Sequence, residues 1–436
     1  MVITAIMFIG MLGLMVTGLP LAYCLGSVGL LSCLFLWGPS GLDIVYFATL
    51  GLMNSFLLIT IPLFIYMGYV LHESGIAEDL FNTVQLWAGG VRGALGMGTV
   101  VICAIIAAMA GVSGAATLSM GVIAVPAMLQ RGYDKRIAVG LVHAGGALGF
   151  LIPPSMMMIM YAFISGESVG KLFAGGVIPG FMLATFFILY IGIRCYFQPH
   201  IGPALPPEDR VGWPEKLRAL RSMILPIILV VTVLGCIFFG VTSPTEAAAV
   251  GAFGSLVCAA VRKKLTWDLL METSKKTLVI SGVTAYIIIG AMVFSKVYTG
   301  LGATAMIRTF IIDLDTSPWI ILILMQLSFF VLGMFLEDMA ILFMCMPIYI
   351  PIIKAIGFDP VWFAVLYVIN MQMAFITPPY GVNLLYMKTV APKGITMGDI
   401  YVSVFPFVAL QMVGLILCMI FPDLILYLPR LLFSGG

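Results

Sequence analysis

Charge is scarce in this chain. Only 9% of its 436 residues are Asp, Glu, Lys or Arg, while 62% are hydrophobic; an ordinary soluble domain carries roughly a quarter charged residues. So few charges cannot cover a water-exposed surface of this length, which excludes a soluble enzyme. Histidine is sparse and scattered (His72, His143, His200), so a zinc cluster is not expected. The eight cysteines lie almost all within apolar runs and form no CxxC pair. They read as small buried hydrophobes, with no disulfide framework and no metal site. No basic stripe interleaved with aromatics appears, so no nucleic-acid partner is expected. HExxH, GxSxG, paired membrane aspartates on one face and a Walker A loop are all missing. The chain is therefore expected to be no enzyme, to hold no organic cofactor and not to draw directly on ATP. The apolar N-terminus lacks a basic n-region and an obvious cleavage site, so a removable signal peptide is not expected.

What is present is a series of long apolar runs. A helix needs about 20 apolar residues to cross a bilayer. Candidate segments are 1–17, 18–37, 50–72, 93–130, 133–165, 172–197, 222–241, 245–261, 278–299, 317–353, 360–391 and 403–430. They are continuous rather than alternating, which argues against a membrane β-barrel and for an all-α polytopic membrane protein. Polar punctuation falls at 194–221, the only long hydrophilic loop, and at 262–276. Stretches 73–88 and 300–315 mix charge with apolar residues and read as interfacial amphipathic helices.

The basic residues fix the sides. Sixteen of the 21 lysines and arginines cluster at Arg92, 131–136, 194–221, 262–276 and Lys388/Lys393. One side of the membrane can hold them all only if segment 93–130 enters and leaves on the same side, as a re-entrant hairpin. The positive-inside rule makes that side cytoplasmic. Gly111, Ser113 and Gly114 interrupt the run near its middle, where irregular backbone needs protein or a water-filled cavity to satisfy it. The structural alternative is a close Gly/Ala helix contact.

A repeat supports the hairpin. Pro126 and Pro351, Gly132 and Gly357, Asp134 and Asp359, and Pro153-Pro154 and Pro378-Pro379 are each 225 residues apart. Gly26 and Gly251, Gly29 and Gly254, and Ser74-Gly75-Ile76 and Thr299-Gly300-Leu301 share that offset. A fixed offset over this span points to duplication. The expected units are 1–221, with hairpin 93–130, broken helix 133–165 and cytoplasmic loop 198–221, and 222–436, with hairpin 317–353 and broken helix 360–391. Five crossings and one hairpin per unit is an odd number, so the units are expected to be inverted, as in secondary transporters. The turn Arg131–Arg136 is basic, whereas Ile356–Pro360 holds no base, which fits opposite sides.

Each double proline removes two backbone donors and frees carbonyls upstream. At mid-membrane, free carbonyls suit Na⁺ and half-helix N-termini suit an anion. A packed proline kink is the alternative, but two breaks at matched positions, each after a hairpin, favour ion sites.

The motifs Ile61-Pro62-Leu63-Phe64, Ser74-Gly75-Ile76-Ala77, Ser113-Gly114-Ala115-Ala116, Gly132-Tyr133, Gly149-Phe150-Leu151-Ile152-Pro153-Pro154-Ser155, Pro244-Thr245-Glu246-Ala247-Ala248 and Thr377-Pro378-Pro379-Tyr380-Gly381-Val382-Asn383 stand in this order. With them the chain resembles, over essentially its whole length, the large membrane subunit of tripartite ATP-independent periplasmic (TRAP) transporters. The resemblance implies a Na⁺-coupled importer of a small organic anion in the bacterial inner membrane. The anion class includes C4-dicarboxylates, sialic acid and sulfonates such as isethionate. It also implies an elevator in which a transport domain carrying both hairpins slides against a scaffold. Its expected partners are a small four-helix membrane subunit, here a separate polypeptide, and a soluble periplasmic binding protein. A self-sufficient ion-coupled organic-anion carrier or antiporter of related architecture is the alternative.

One Na⁺ site is expected at Ser113 with the carbonyls near Gly149 and Pro153. The other is expected at Gly333, Ala374, Thr377 and Tyr380. Substrate is expected between them, near Gly114, Ser155, Asp338, Pro379 and Asn383. Ala374 stands where related sequences often have glycine; a carbonyl ligand survives that change, a positive φ does not. Adjacent Glu337 and Asp338 cannot share a helix face, so only one, Asp338, is expected to line the site. Glu246 reads as a helix-start residue or a latch, and Lys296 as a snorkelling residue or a substrate contact.

Overall fold

The computed structural model describes residues 2–111, 113–302 and 316–433. All regular elements within them are helices. Nine helices among the described residues are long and apolar enough to cross a membrane, from Ala22–Met53 to Met397–Ile420. Outer helices leave large apolar side chains uncovered, Phe35 at 86% and Phe239 at 80% exposure, on a scale that lipid tolerates and water does not. This is a multi-pass membrane protein.

Most expected segments appear with adjusted ends. Segment 73–88 is the helix Ile76–Ala88, with Glu78 and Asp79 in its first turn and Ile76, Ala77, Leu80 and Phe81 buried. Its counterpart at 300–315 lies outside the described residues beyond Gly302. Segment 278–299 is in fact the 34-residue helix Trp267–Gly300. Thr266 caps it by accepting the amide of Leu269 at 3.2 Å. The first turns carry Asp268, Glu272, Lys275 and Lys276, so a hydropathy reading places them in a loop although the cap starts the helix there.

The segment 93–130 is two helices, Ala94–Ala110 and Ser113–Gln130, packed on each other beyond Gly111, whose φ of +66° turns the chain. The segment 317–353 is likewise a packed pair, Pro318–Gly333 and Asp338–Ala355. Local geometry recurs at the 225-residue offset. Gly132 and Gly357 both take positive φ, +78° and +85°. Asp134 accepts the amides of Arg136 and Ile137, and Asp359 those of Val361 and Trp362. Each carboxylate caps the helix that runs into a double proline.

Small residues let helices approach closely. A Cβ on Gly290 would lie 2.7 Å from the Ala22 carbonyl, where Trp267–Gly300 crosses Leu21–Trp37. One on Gly68 would lie 2.9 Å from the Ala110 Cα, which holds helix Thr60–Glu73 against the tip of the first pair. Without a hydrophobic drive between helices in lipid, such contacts carry much of the packing energy.

Candidate functional site

Two broken helices run beneath the tips of the helix pairs. Lys135–Ala147 passes into the short turn Leu148–Phe150 and resumes as Met156–Ser165. Pro360–Ala374 stops and resumes as Val382–Val390. The Pro153–Pro154 and Pro378–Pro379 peptide bonds are both cis. Ser155 bridges the first gap: its hydroxyl donates to the Phe150 carbonyl and accepts from the Met158 amide. In the second gap the Asn383 amide donates to the Phe375 carbonyl at 3.2 Å, and the Thr377 hydroxyl donates to the Met373 carbonyl at 2.8 Å.

The tips touch these breaks. The Met156 amide donates to the Gly111 carbonyl at 3.1 Å. A Cβ on Gly111 would stand 2.9 Å from the Pro154 carbonyl oxygen. The Asn383 side-chain amide donates to the Ser113 hydroxyl, both groups being fully buried. The first tip thus contacts both breaks. At the second, a Cβ on Gly333 would stand 2.6 Å from the Ala374 Cβ. The Asp338 carbonyl accepts from the Tyr367 hydroxyl at 3.1 Å. Phe150 and Phe375, one from each break and 225 residues apart, meet edge to face with centroids 5.1 Å apart.

Tips and breaks enclose a cavity of about 500 Å³, within the range of small-molecule sites. Ser113, Gly114 and Ser119 line it from the first pair, and Glu337 and Asp338 from the second. The breaks add Phe150, Met156, Phe375, Val382 and Tyr386. Helix Thr60–Glu73 adds Tyr69, His72 and Glu73, and helix Trp267–Gly300 adds Lys276 and Thr284. The Lys276 ammonium sits 2.6 Å from Glu73 and 2.7 Å from Glu272.

Two broken helices, two packed tips and a shared cavity are the parts of a carrier. Residues 8–424 match the family model described as "Tripartite ATP-independent periplasmic transporter, DctM component". The chain belongs to this family. It is 31% identical to the C4-dicarboxylate TRAP transporter large permease protein DctM of Rhodobacter capsulatus, over 98% of this chain and 99% of that one. It is 29% identical to the sialic acid TRAP transporter large permease protein SiaM of Vibrio cholerae, over 98% of both. Among solved structures, the YdaH transporter of Alcanivorax borkumensis superposes with a TM-score of 0.64 at 12% identity, covering 86% of this chain and 87% of that one. That likeness concerns the fold alone.

In this TRAP large permease the residues expected from the sequence fall into three groups. Ser113, Gly114 and Asp338 line the cavity; Ser155 and Asn383 are buried at the breaks without lining it, and Pro379 is exposed. Gly333, Ala374 and Thr377 are close neighbours, and all are buried. Thr377 donates its proton to Met373 and so keeps oxygen lone pairs free. Ala374 is helical, so no positive φ is demanded of it. Gly149 and Pro153 are buried beside the first tip. Tyr380 stands apart, with 59% of its surface exposed.

The expectation that only one acid lines the site fails. Glu337 precedes the helix with extended backbone (φ −71°, ψ 147°), so helical spacing does not separate it from Asp338, and both line the cavity. Glu246 closes a capping box: it accepts the Ser243 amide while Ser243 accepts its own. Lys296 is exposed and away from the cavity. Glu73, Lys276 and Tyr386 were not foreseen. Lys276, Ile280, Thr284 and Ile287 fall at helical spacing, a pattern visible only once the helix is known to begin at Trp267. Phe150 and Phe375 were not foreseen either, although the 225-residue offset relates them.

Proposed function

We propose that this permease imports a small organic anion, coupled to Na⁺, across the bacterial inner membrane. The observation that carries the reading is the cavity of about 500 Å³ bounded by both tips and both broken helices. A carboxylate or sulfonate of the size carried by the relatives named above, C4-dicarboxylate to sialic acid, fits such a volume. Residues 1–221 and 222–436 act as two inverted repeats, with the basic stretches 198–221 and 262–276 on the cytoplasmic side. A transport domain built of both helix pairs and both broken helices slides as an elevator against the remaining helices. A small four-helix membrane subunit and a soluble periplasmic binding protein complete the system, the second delivering substrate.

One Na⁺ takes oxygens from Ser113 and the first break, near Gly149 and Pro153. The other takes them from Gly333, Ala374 and Thr377 with the chain toward Tyr380. The support is geometric. Each tip rests on a break in a buried helix, and irregular backbone at depth persists only where something satisfies it. Reconstitution into proteoliposomes with both partners tests the reading. Uptake of labelled succinate or N-acetylneuraminate should require Na⁺, rise more steeply than first order with its concentration, and need the binding protein. Uptake unchanged when choline replaces Na⁺, at fixed potential and pH gradient, removes the coupling. Uptake without the binding protein favours a self-sufficient carrier.

A further inference from the structure

The cavity is not uniformly enclosed. Ser113 and Asp338 are 1% and 8% exposed, whereas the side chains of Lys276 and Glu73 are 39% and 26% exposed. Lys276, Ile280, Val283, Thr284 and Ile287 form one lining face of the long helix. Eleven residues separate Lys276 from Ile287, on the order of 16 Å of helix. Glu73 and Lys276 thus lie at an open part of the cavity, as do Val283 and Glu337, while Ser113 and Asp338 lie deep in it.

Lys276 is the only lysine or arginine among the described residues lining the cavity. Its other charged walls are Glu73, Glu337 and Asp338, with His72 beside Glu73. The ammonium is held by two carboxylates from different helices, Glu73 at 2.6 Å and Glu272 at 2.7 Å. Only Glu73 lines the cavity; Glu272 does not. An anion moving along the wall meets one strong donor cation, already neutralised by a carboxylate at the same place. Half-exposed ion pairs are weakly held, so exchanging one carboxylate for another there is inexpensive.

From this geometry, and resting on the transport reading above, we infer that Lys276 is an anion subsite at the mouth of the cavity. The substrate's carboxylate or sulfonate displaces Glu73 from the ammonium on its way between the tips and water. Glu73 is the internal competitor that returns when substrate leaves, and Glu272 keeps the lysine in place.

The test uses the full permease in membranes with its partner subunits. Ile280, one turn from Lys276 and 38% exposed, is replaced by cysteine, and its maleimide labelling rate is read against the parent. All the parent's cysteines are buried except half-buried Cys236. Succinate and N-acetylneuraminate are the probes, and dimethyl succinate is the uncharged control. The acids should slow labelling and the ester should not. Lys276→Gln should raise the half-protecting concentration about tenfold or more, as expected for a lost charge-assisted contact. Lys276→Arg should stay near the parent value, Glu73→Gln should lower it, and Glu272→Gln should leave it within about threefold. Protection that survives Lys276→Gln unchanged, or weakens in Glu73→Gln, overturns the subsite alone. No protection by either acid with Lys276 intact overturns the transport reading and this inference with it.

Discussion

Gly333→Ala puts a methyl carbon where the structure has no room. The added Cβ would lie 2.6 Å from the Ala374 Cβ and 3.1 Å from the Met371 Cε. Carbon atoms rest at about 3.5–4.0 Å. Met371 can swing its methyl aside, but the Ala374 Cβ is fixed to helix Pro360–Ala374. Tip and break must therefore part by roughly 1 Å. Overpacking of this kind costs about 1–3 kcal/mol. At about 2.1 cal/mol/K per residue, a chain of 436 residues has an unfolding entropy near 0.9 kcal/mol/K. The melting temperature in detergent should fall by about 1–3 °C. If Na⁺ sits at this contact as proposed, the larger effect should be on Na⁺: a ligand drawn back by about 1 Å is lost, and a lost polar contact of roughly 1–3 kcal/mol raises the half-saturating concentration about five- to hundredfold. The swap Gly333→Ala with Ala374→Gly returns the methyl to the other side of the same contact. It should recover most of both losses, a coupling between neighbours that independent sites do not show. Unchanged melting and Na⁺ dependence in the single variant, or no recovery in the swap, would refute the argument.

Thr377→Val keeps shape and deletes one oxygen; it should raise half-saturating Na⁺ about five- to hundredfold with the protein still folded. If it and Ser113→Ala both transport with unaltered Na⁺ dependence, the sites lie elsewhere. Cysteine placed at Lys135 should resist an impermeant maleimide added outside intact cells, and cysteine at Lys354 should react; outside labelling at 135 sinks the inverted arrangement. Ser243→Ala removes the capping hydroxyl that accepts the Glu246 amide at 3.3 Å. It should cost about 0.5–2 kcal/mol of stability and leave the substrate concentration for half-maximal uptake unchanged, whereas a change in that concentration alone would give Glu246 the role of a latch.

What could be read before the structure followed from covalent and solvation rules that act locally. A double proline has no donors whatever surrounds it, and Asp134 and Asp359 cap because the next helix starts there, so the breaks and their flanks were legible. Gly111 and Ser113 were legible only through the repeat, because a glycine-rich interruption in an apolar run suits a close helix contact equally well. The charged start of Trp267–Gly300 was not, because a hydropathy window reports the solvent of a side chain and not the hydrogen bonds of its backbone. Missing that start hid Lys276 from the cavity wall. Glu337 was misplaced for a related reason: helical spacing was applied to a residue that precedes the helix. That Ser155, Pro379 and Asn383 do not line the cavity depends on how two breaks nest under two tips, a tertiary fact no single segment encodes.

The charges around the cavity bear on why the proposed transport would need a cation. Glu73, Glu337 and Asp338 line it against one lysine, and that lysine is already shared between Glu73 and Glu272. At 4 Å, two like charges repel by about 4 kcal/mol even at an effective dielectric of 20. A bare organic anion placed beside an ionised Asp338 therefore faces a barrier of several kcal/mol, several orders of magnitude in occupancy. Na⁺ held at Ser113 and at Thr377, as proposed above, would remove most of that repulsion. Cation and anion binding then become one event, in either order, because linkage makes the coupling reciprocal. On this argument Asp338→Asn should weaken the Na⁺ requirement for anion binding rather than abolish binding. A variant that binds labelled succinate with the Na⁺ dependence of the parent would show that the wall charge is not what ties the two together.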